Sequence, residues 1–94
     1  MPDRKIIHAD IAGVVQGVWF RAWTVQEAQA RGLDGWVRNR RDGRVEAVFA
    51  GPADKVDDMI RVCHHGPELA RVSSVQVQPH AEEPGRGFRK SPTV

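Results

Sequence analysis

Residues 44–63, RVEAVFAGPADKVDDMIRVC, change hydrophobic period halfway along. Val45, Ala47 and Phe49 fall on one face, with Arg44 and Glu46 on the other, which is the alternation of a strand ending at Ala50. Gly51-Pro52 closes it. Pro52 suits the first turn of a helix, and Asp54 suits the positive end of that helix's dipole. Val56, Met59, Ile60 and Cys63 then recur at i, i+3, i+4 and i+7, an amphipathic helix. A strand passing straight into a one-sided helix calls for a layer of helices on a layer of sheet.

Working outward, the same pattern repeats. Upstream, Gly35 to Asn39 is a short strand, and RRDG (residues 40–43) places Asp-Gly between two strand-like runs, a strong hairpin signal. Lys5 to Gly13 also alternates, with Ile7, Ala9 and Ile11 opposite His8 and Asp10, and Ile6 as the exception. Arg21 to Arg31 has no Gly or Pro. It carries Ala22, Val25 and Ala28 at three-residue spacing and ends at Gly32, so it reads as a helix. Downstream, HHGP (residues 64–67) stops the second helix and Ala70 to Gln78 is another strand, with Val75 and Val77 two apart. Pro79 to Gly87 is a polar loop, and Phe88 leaves room for a short fifth edge strand. The order βαββαβ, with right-handed crossovers, gives an α+β ferredoxin-like two-layer sandwich: an antiparallel sheet with both helices on one face.

With 94 residues, 40% hydrophobic and 28% charged, the chain suits one globular domain spanning residues 1–94. No apolar run is long enough to span a bilayer, and the opening MPDRKIIHADIAG is not a signal peptide. One cysteine, Cys63, cannot form an internal disulfide, which fits a cytoplasmic protein. Nothing demands more than a monomer. The net charge of +2 is small for a nucleic-acid binder. Arg38, Arg40, Arg41 and Arg44 crowd one region and read as a solvated turn, the alternative being a steering field for small anions.

Between the first strand and the first helix lies GVVQGVWFR, residues 13–21. Several N–H groups at a helix start lack intrahelical partners, and they converge on one point if Gly17 takes a positive φ. The helix dipole favours an anion there, and Arg21 adds a fork that matches two phosphate oxygens. The Gly-Lys-Ser/Thr ending of a nucleotide P-loop is missing. On physics alone, the alternative is a glycine-containing corner that binds nothing, with Arg21 on the surface. A second stretch, GWVRNRRDG at residues 35–43, ends its strand on Asn39. Its amide can orient a water without acting as a base, or it can simply help the turn.

Taken together, GVVQGVWFR and the later RGLDGWVRNRRDGRVE (residues 31–46) closely resemble the acylphosphatase family. The resemblance runs on through Gly66-Pro67, the strand near Val72 and Val75, and Phe88, and so covers nearly the whole chain. It implies a metal-independent hydrolase without a cofactor, cleaving acyl phosphates to a carboxylate and inorganic phosphate. By that resemblance Gln16, Gly17, Val18, Trp19 and Phe20 form the phosphate-binding loop with Val15 at its entrance, and the loop also takes phosphate- or sulfate-like anions. Arg21 is the catalytic arginine and Asn39 positions the attacking water. Departures from the family pattern are Val14, where many members have Arg, and Trp19, where Gly or another aromatic is frequent. Arg40 replaces a small hydroxyl residue, and RKSPTV (residues 89–94) extends beyond Phe88.

Two other readings compete with an enzyme. One is an accessory domain that binds acyl or carbamoyl phosphate without useful turnover. The other is an RNA-binding sheet, which needs exposed aromatics on its central strands, whereas Phe49 shares an apolar face. Cys63, His64 and His65 lack zinc-ligand spacing, and adjacent helix residues point about 100° apart, so Cys63 reads as core. Trp19, Trp23 and Trp36 read as packing residues, with Trp19 the candidate for a pocket edge. His8 and His80 read as exposed or edge positions.

Overall fold

The structure, a computed structural model, describes residues 3–94. Met1 and Pro2, which begin the stretch read above as no signal peptide, lie outside the described residues. Five strands and two helices follow one another as β1 (Arg4–Val14), α1 (Phe20–Ala30), β2 (Asp34–Asn39), β3 (Val45–Pro52), α2 (Ala53–Cys63), β4 (Arg71–Pro79) and β5 (Phe88–Lys90). They form one sheet in the order β4-β1-β3-β2-β5. The four long strands are antiparallel, as the βαββαβ pattern requires. The fifth strand exists and runs parallel to β2, pairing Gly35 with Phe88 and Val37 with Lys90.

Register explains the core. β1 and β3 pair Ile7 with Phe49, Ala9 with Ala47 and Ile11 with Val45, so the apolar face of each strand meets its neighbour's. That face packs on Val56, Met59 and Cys63 of α2 and on Phe20 and Ala28 of α1. Burial pushes the Cys63 thiol up to about 12, so it behaves as a small apolar side chain. In α1 the buried face is Phe20, Thr24 and Ala28, and Ala22 is exposed rather than core. The helix starts one residue earlier than expected, and Thr24 can turn inward because its hydroxyl donates to the Phe20 carbonyl at 2.8 Å. Pro52 ends β3 and caps α2 instead of joining its first turn. Gly35 has φ 137°, and a Cβ there would sit 1.8 Å from the Val48 carbonyl oxygen, so no other residue fits this point of β2.

The opposite face of the sheet carries no helix, yet Glu46 is only 3% exposed there. The turn expected to be solvated, with Arg38, Arg40, Arg41 and Arg44, thus adjoins a buried acid. His8 Nε2 meets a Glu46 carboxylate oxygen at 2.7 Å, while Arg38 Nε and Arg40 Nη1 donate to the other. His8 is therefore half-buried, not exposed. Trp36 stands edge-on to His8 at 6.5 Å, with the Arg38 guanidinium 4.5 Å above its ring. Both His8 and Trp36 pair with Val48 from either side, which is how a strand with an open face stays dry. The crowded arginines are thus largely paired: Arg38 and Arg40 with Glu46, and Arg44 with Asp42.

Burial acts to raise the Glu46 carboxyl, but hydrogen bonds from His8 and Arg38 outweigh it and hold the group below the usual carboxylate range. A depressed carboxylate contributes stability that is complete above its unfolded value and is lost as pH falls through its folded one. Glu46→Gln should therefore lower stability by about 2–4 kcal/mol at neutral pH. The gap to the parent chain should close as pH drops below about 4. Urea midpoints across that range check it, and a gap independent of pH would contradict it.

Candidate active site

Residues 15–19 carry the chain from β1 to α1 without regular structure. Gly17 has φ 74°, the left-handed conformation expected of it, and a Cβ there would meet nothing within 4 Å. Its glycine is required by backbone conformation alone. Trp19 is also left-handed, with φ 67° and ψ 21°, and it stands as the residue before α1. A non-glycine residue there carries about 1–2 kcal/mol of strain. Two left-handed residues within three positions curl the loop so that successive N–H groups turn inward.

Those N–H groups are unclaimed. Among the described residues the first amide of this region with an acceptor is Trp23, which donates to the Trp19 carbonyl at 3.0 Å. The N–H groups of residues 16–22 have none. All but Val18 of these residues border a cavity of about 340 Å³. Val15, Gln16, Gly17, Trp19 and Phe20 line it, joined by Arg21 from the second position of α1 and Asn39 from the end of β2. Sequence-expected site residues from two separate stretches are thus brought together. Val18 is the exception: its side chain packs against the core, leaving only its backbone for the loop.

Asn39 reaches the cavity because it shares the helix-side face of β2 with Val37, two residues back. Its Oδ1 is buried and has no hydrogen-bond partner. The Arg21 guanidinium makes no ion pair or hydrogen bond among the described residues. A half-buried arginine, an orphaned amide oxygen and a row of free N–H groups have the chemistry to take an anion and a hydrogen-bond donor.

Trp19 is 78% exposed and borders the cavity, the pocket-edge position for which it was the candidate, rather than packing. Trp23 is half-buried with its ring 5.3 Å from Phe20, and Trp36 belongs to the opposite face. Gln16 is more than a loop donor. Its side-chain Nε2 donates to the carbonyls of Arg40 at 2.7 Å and Arg44 at 2.9 Å, tying the loop to the hairpin beside Asn39. Arg40 itself points to Glu46, away from the cavity, and Val14 is exposed at the end of β1. The tail past Phe88 runs along β2. Ser91 N–H donates to the Val37 carbonyl at 2.8 Å, Val94 N–H to the Asn39 carbonyl at 3.1 Å, and Arg41 N–H to the Val94 carbonyl at 2.7 Å. Ala22 and Lys90 also line the cavity and were missed. Lys90 was legible from alternation, two residues after the buried Phe88.

Comparison with known proteins agrees with this geometry. The family model described as Acylphosphatase matches residues 7–90. An acylphosphatase of Rhizorhabdus wittichii is 54% identical over 93 residues, covering 99% of this chain and 94% of its own. One from Nitrobacter hamburgensis is 57% identical over 90 residues, covering 89% and 91%. Among solved structures, an acylphosphatase from Coxiella burnetii superposes with a TM-score of 0.91 at 34% identity, covering 95% of this chain and 94% of that one.

The Gln16 link has a measurable value. Gln16→Ala removes the second donor of each carbonyl, leaving Gly43 N–H on Arg40 and Arg40 N–H on Arg44, and should cost about 1 kcal/mol, while Gln16→Glu sets a carboxylate against them and should cost about 2–3 kcal/mol. Urea unfolding checks both. Equal stability of Gln16→Glu and the parent chain would contradict the link.

Proposed function

The chain belongs to the acylphosphatase family, hydrolases of acyl phosphates, and from that premise we propose how its residues divide the work. The observation that carries the reading is the meeting at one cavity of a loop whose N–H groups are unclaimed, the unpaired Arg21 and Asn39 with its orphaned Oδ1. The phosphoryl group sits in the loop, its oxygens accepting from the amides and from the Arg21 fork. Hydrogen bonds to a charged group contribute about 1.5–3 kcal/mol each, so several hold the group firmly. Asn39 Oδ1 accepts a hydrogen bond from a water and aims its lone pair at phosphorus.

The chemistry asks for little more. Water oxygen forms a bond to phosphorus as the bond from phosphorus to the acyl oxygen breaks, and the carboxylate leaves with the bonding pair. A carboxylate departs without protonation, so no strong general acid is needed. Asn39 cannot take the water's proton; a phosphoryl oxygen receives it. Phosphoryl transfer passes through a loose transition state with charge spread over the equatorial oxygens, which preorganised amides and one arginine stabilise. Neither motif supplies a nucleophile or a metal-ligating pair, which fits a direct attack by water. The Trp19 ring at the rim offers an apolar surface to the acyl group.

The finer expectations fit the same picture. The single cysteine, free and buried, suits a cytoplasmic setting. No helix among the described residues is long and apolar enough to cross a membrane.

Two substitutions separate the roles. Arg21→Ala should lose inorganic phosphate binding and reduce benzoyl phosphate turnover by about a thousandfold. Asn39→Ala should retain phosphate binding and lose about a hundredfold or more in turnover, the size expected when a reactant loses its positioning group. Assays in EDTA check both. Near-normal turnover by Asn39→Ala would remove its assigned role, and a folded parent chain that binds phosphate without hydrolysing benzoyl phosphate would favour the accessory-domain reading.

A further inference from the structure

Lys90 is a second cation in the cavity, and nothing in the division of labour above uses it. It ends β5, pairing with Val37 one strand away from the segment that ends at Asn39. Phe88 of the same strand is buried against the core. By the two-residue alternation of a strand, Lys90 therefore faces the same side as Phe88, toward α1 and the loop, while Arg89 faces away. It borders the cavity together with Arg21.

Several arginines elsewhere find carboxylates: Arg4 with Glu83, Arg31 with Asp58, Arg38 and Arg40 with Glu46, Arg44 with Asp42. Lys90 and Arg21 form no ion pair among the described residues, and no carboxylate or histidine lines the cavity they share. Two unneutralised cations thus border a space whose other polar groups are amides. A terminal phosphoryl group above its second pKa, about 6, carries close to two negative charges, whereas an esterified or protonated one carries a single charge.

We infer that Lys90 is the specificity-determining cation that sets this site for a dianionic phosphoryl group over a monoanionic one, an inference that rests on the loop being the phosphoryl site. Arg21 supplies a fixed fork and the first charge. Lys90 supplies a mobile point charge, without fork geometry, that answers the second. The chemical consequence is a preference for acyl phosphates ending in a free phosphoryl group over acyl anhydrides whose phosphoryl group is esterified and carries one charge.

The experiment is titration calorimetry with inorganic phosphate near pH 5, where the monoanion dominates, and near pH 8, where the dianion does. Because neither histidine nor carboxylate lines the cavity, the ligand is what changes charge within it, and comparing variant with parent at each pH cancels effects elsewhere. Lys90→Met should weaken phosphate about three- to fivefold near pH 8 and only about twofold near pH 5, because a single charge interacts about half as strongly, the size expected of one solvent-accessible ion pair. Lys90→Arg should restore most of the loss, and the loss should shrink as salt is raised. Equal loss at both pH values, no loss at pH 8, or failure of Lys90→Arg to restore affinity would overturn the inference. A parent chain that binds phosphate while Lys90→Met binds it equally well refutes the role of Lys90 alone. A parent chain that binds no phosphate refutes the loop assignment as well.

Discussion

The side-chain amide of Gln16 holds the site together. It belongs to the loop between β1 and α1, yet both of its N–H bonds go to carbonyls of the β2–β3 hairpin, those of Arg40 and Arg44. Without that bridge, the row of free amides and Asn39 are parts of separate elements, each free to drift by the fraction of an ångström that in-line chemistry forbids. The tail reinforces the arrangement from the other side of β2, where Val94 N–H donates to the carbonyl of Asn39 itself. Asn39 is thus fixed by its neighbours through backbone bonds, and its side-chain oxygen stays free for a water.

Charge is sorted by the sheet. Alternation along β2 and β3 sends Arg38 and Glu46 to the open face, and Arg40 turns to the same carboxylate. Glu46 gathers those guanidiniums with His8 and so removes them from competition for an anion. On the helix side, Arg21 and Lys90 remain without carboxylate partners. A single buried acid on one face therefore helps to define an anion site on the other.

Much of this was legible in the sequence. The switch from two-residue to helical period at Pro52, the Asp-Gly hairpin and the Gly32 stop placed the elements to within a residue or two, because each is a local signal. The convergence of Arg21 with Asn39 is a matter of strand order, which local patterns do not state; the resemblance of the two stretches to one family supplied it. What escaped was context. The burial of Glu46 has no local signal, because His8 and Arg38 reach it partly from a neighbouring strand, and Ala22 reads as core until Thr24 satisfies its hydroxyl within the helix. Trp19 reads as packing or as a pocket edge, and its exposure decides for the edge. Its φ of 67° is a left-handed backbone that suits glycine best, and the tryptophan adopts it with strain while projecting to the rim.

The central claim is that backbone amides of residues 16–22, and not the arginine-rich hairpin, hold the phosphoryl group. Amide chemical shifts followed by two-dimensional NMR during titration with inorganic phosphate test it most directly. The account predicts saturable shifts concentrated at residues 16–22, at the Arg21 guanidinium and at the Asn39 side-chain amide. Shifts centred on Arg38, Arg41 and Arg44, with the loop amides unmoved, would contradict it.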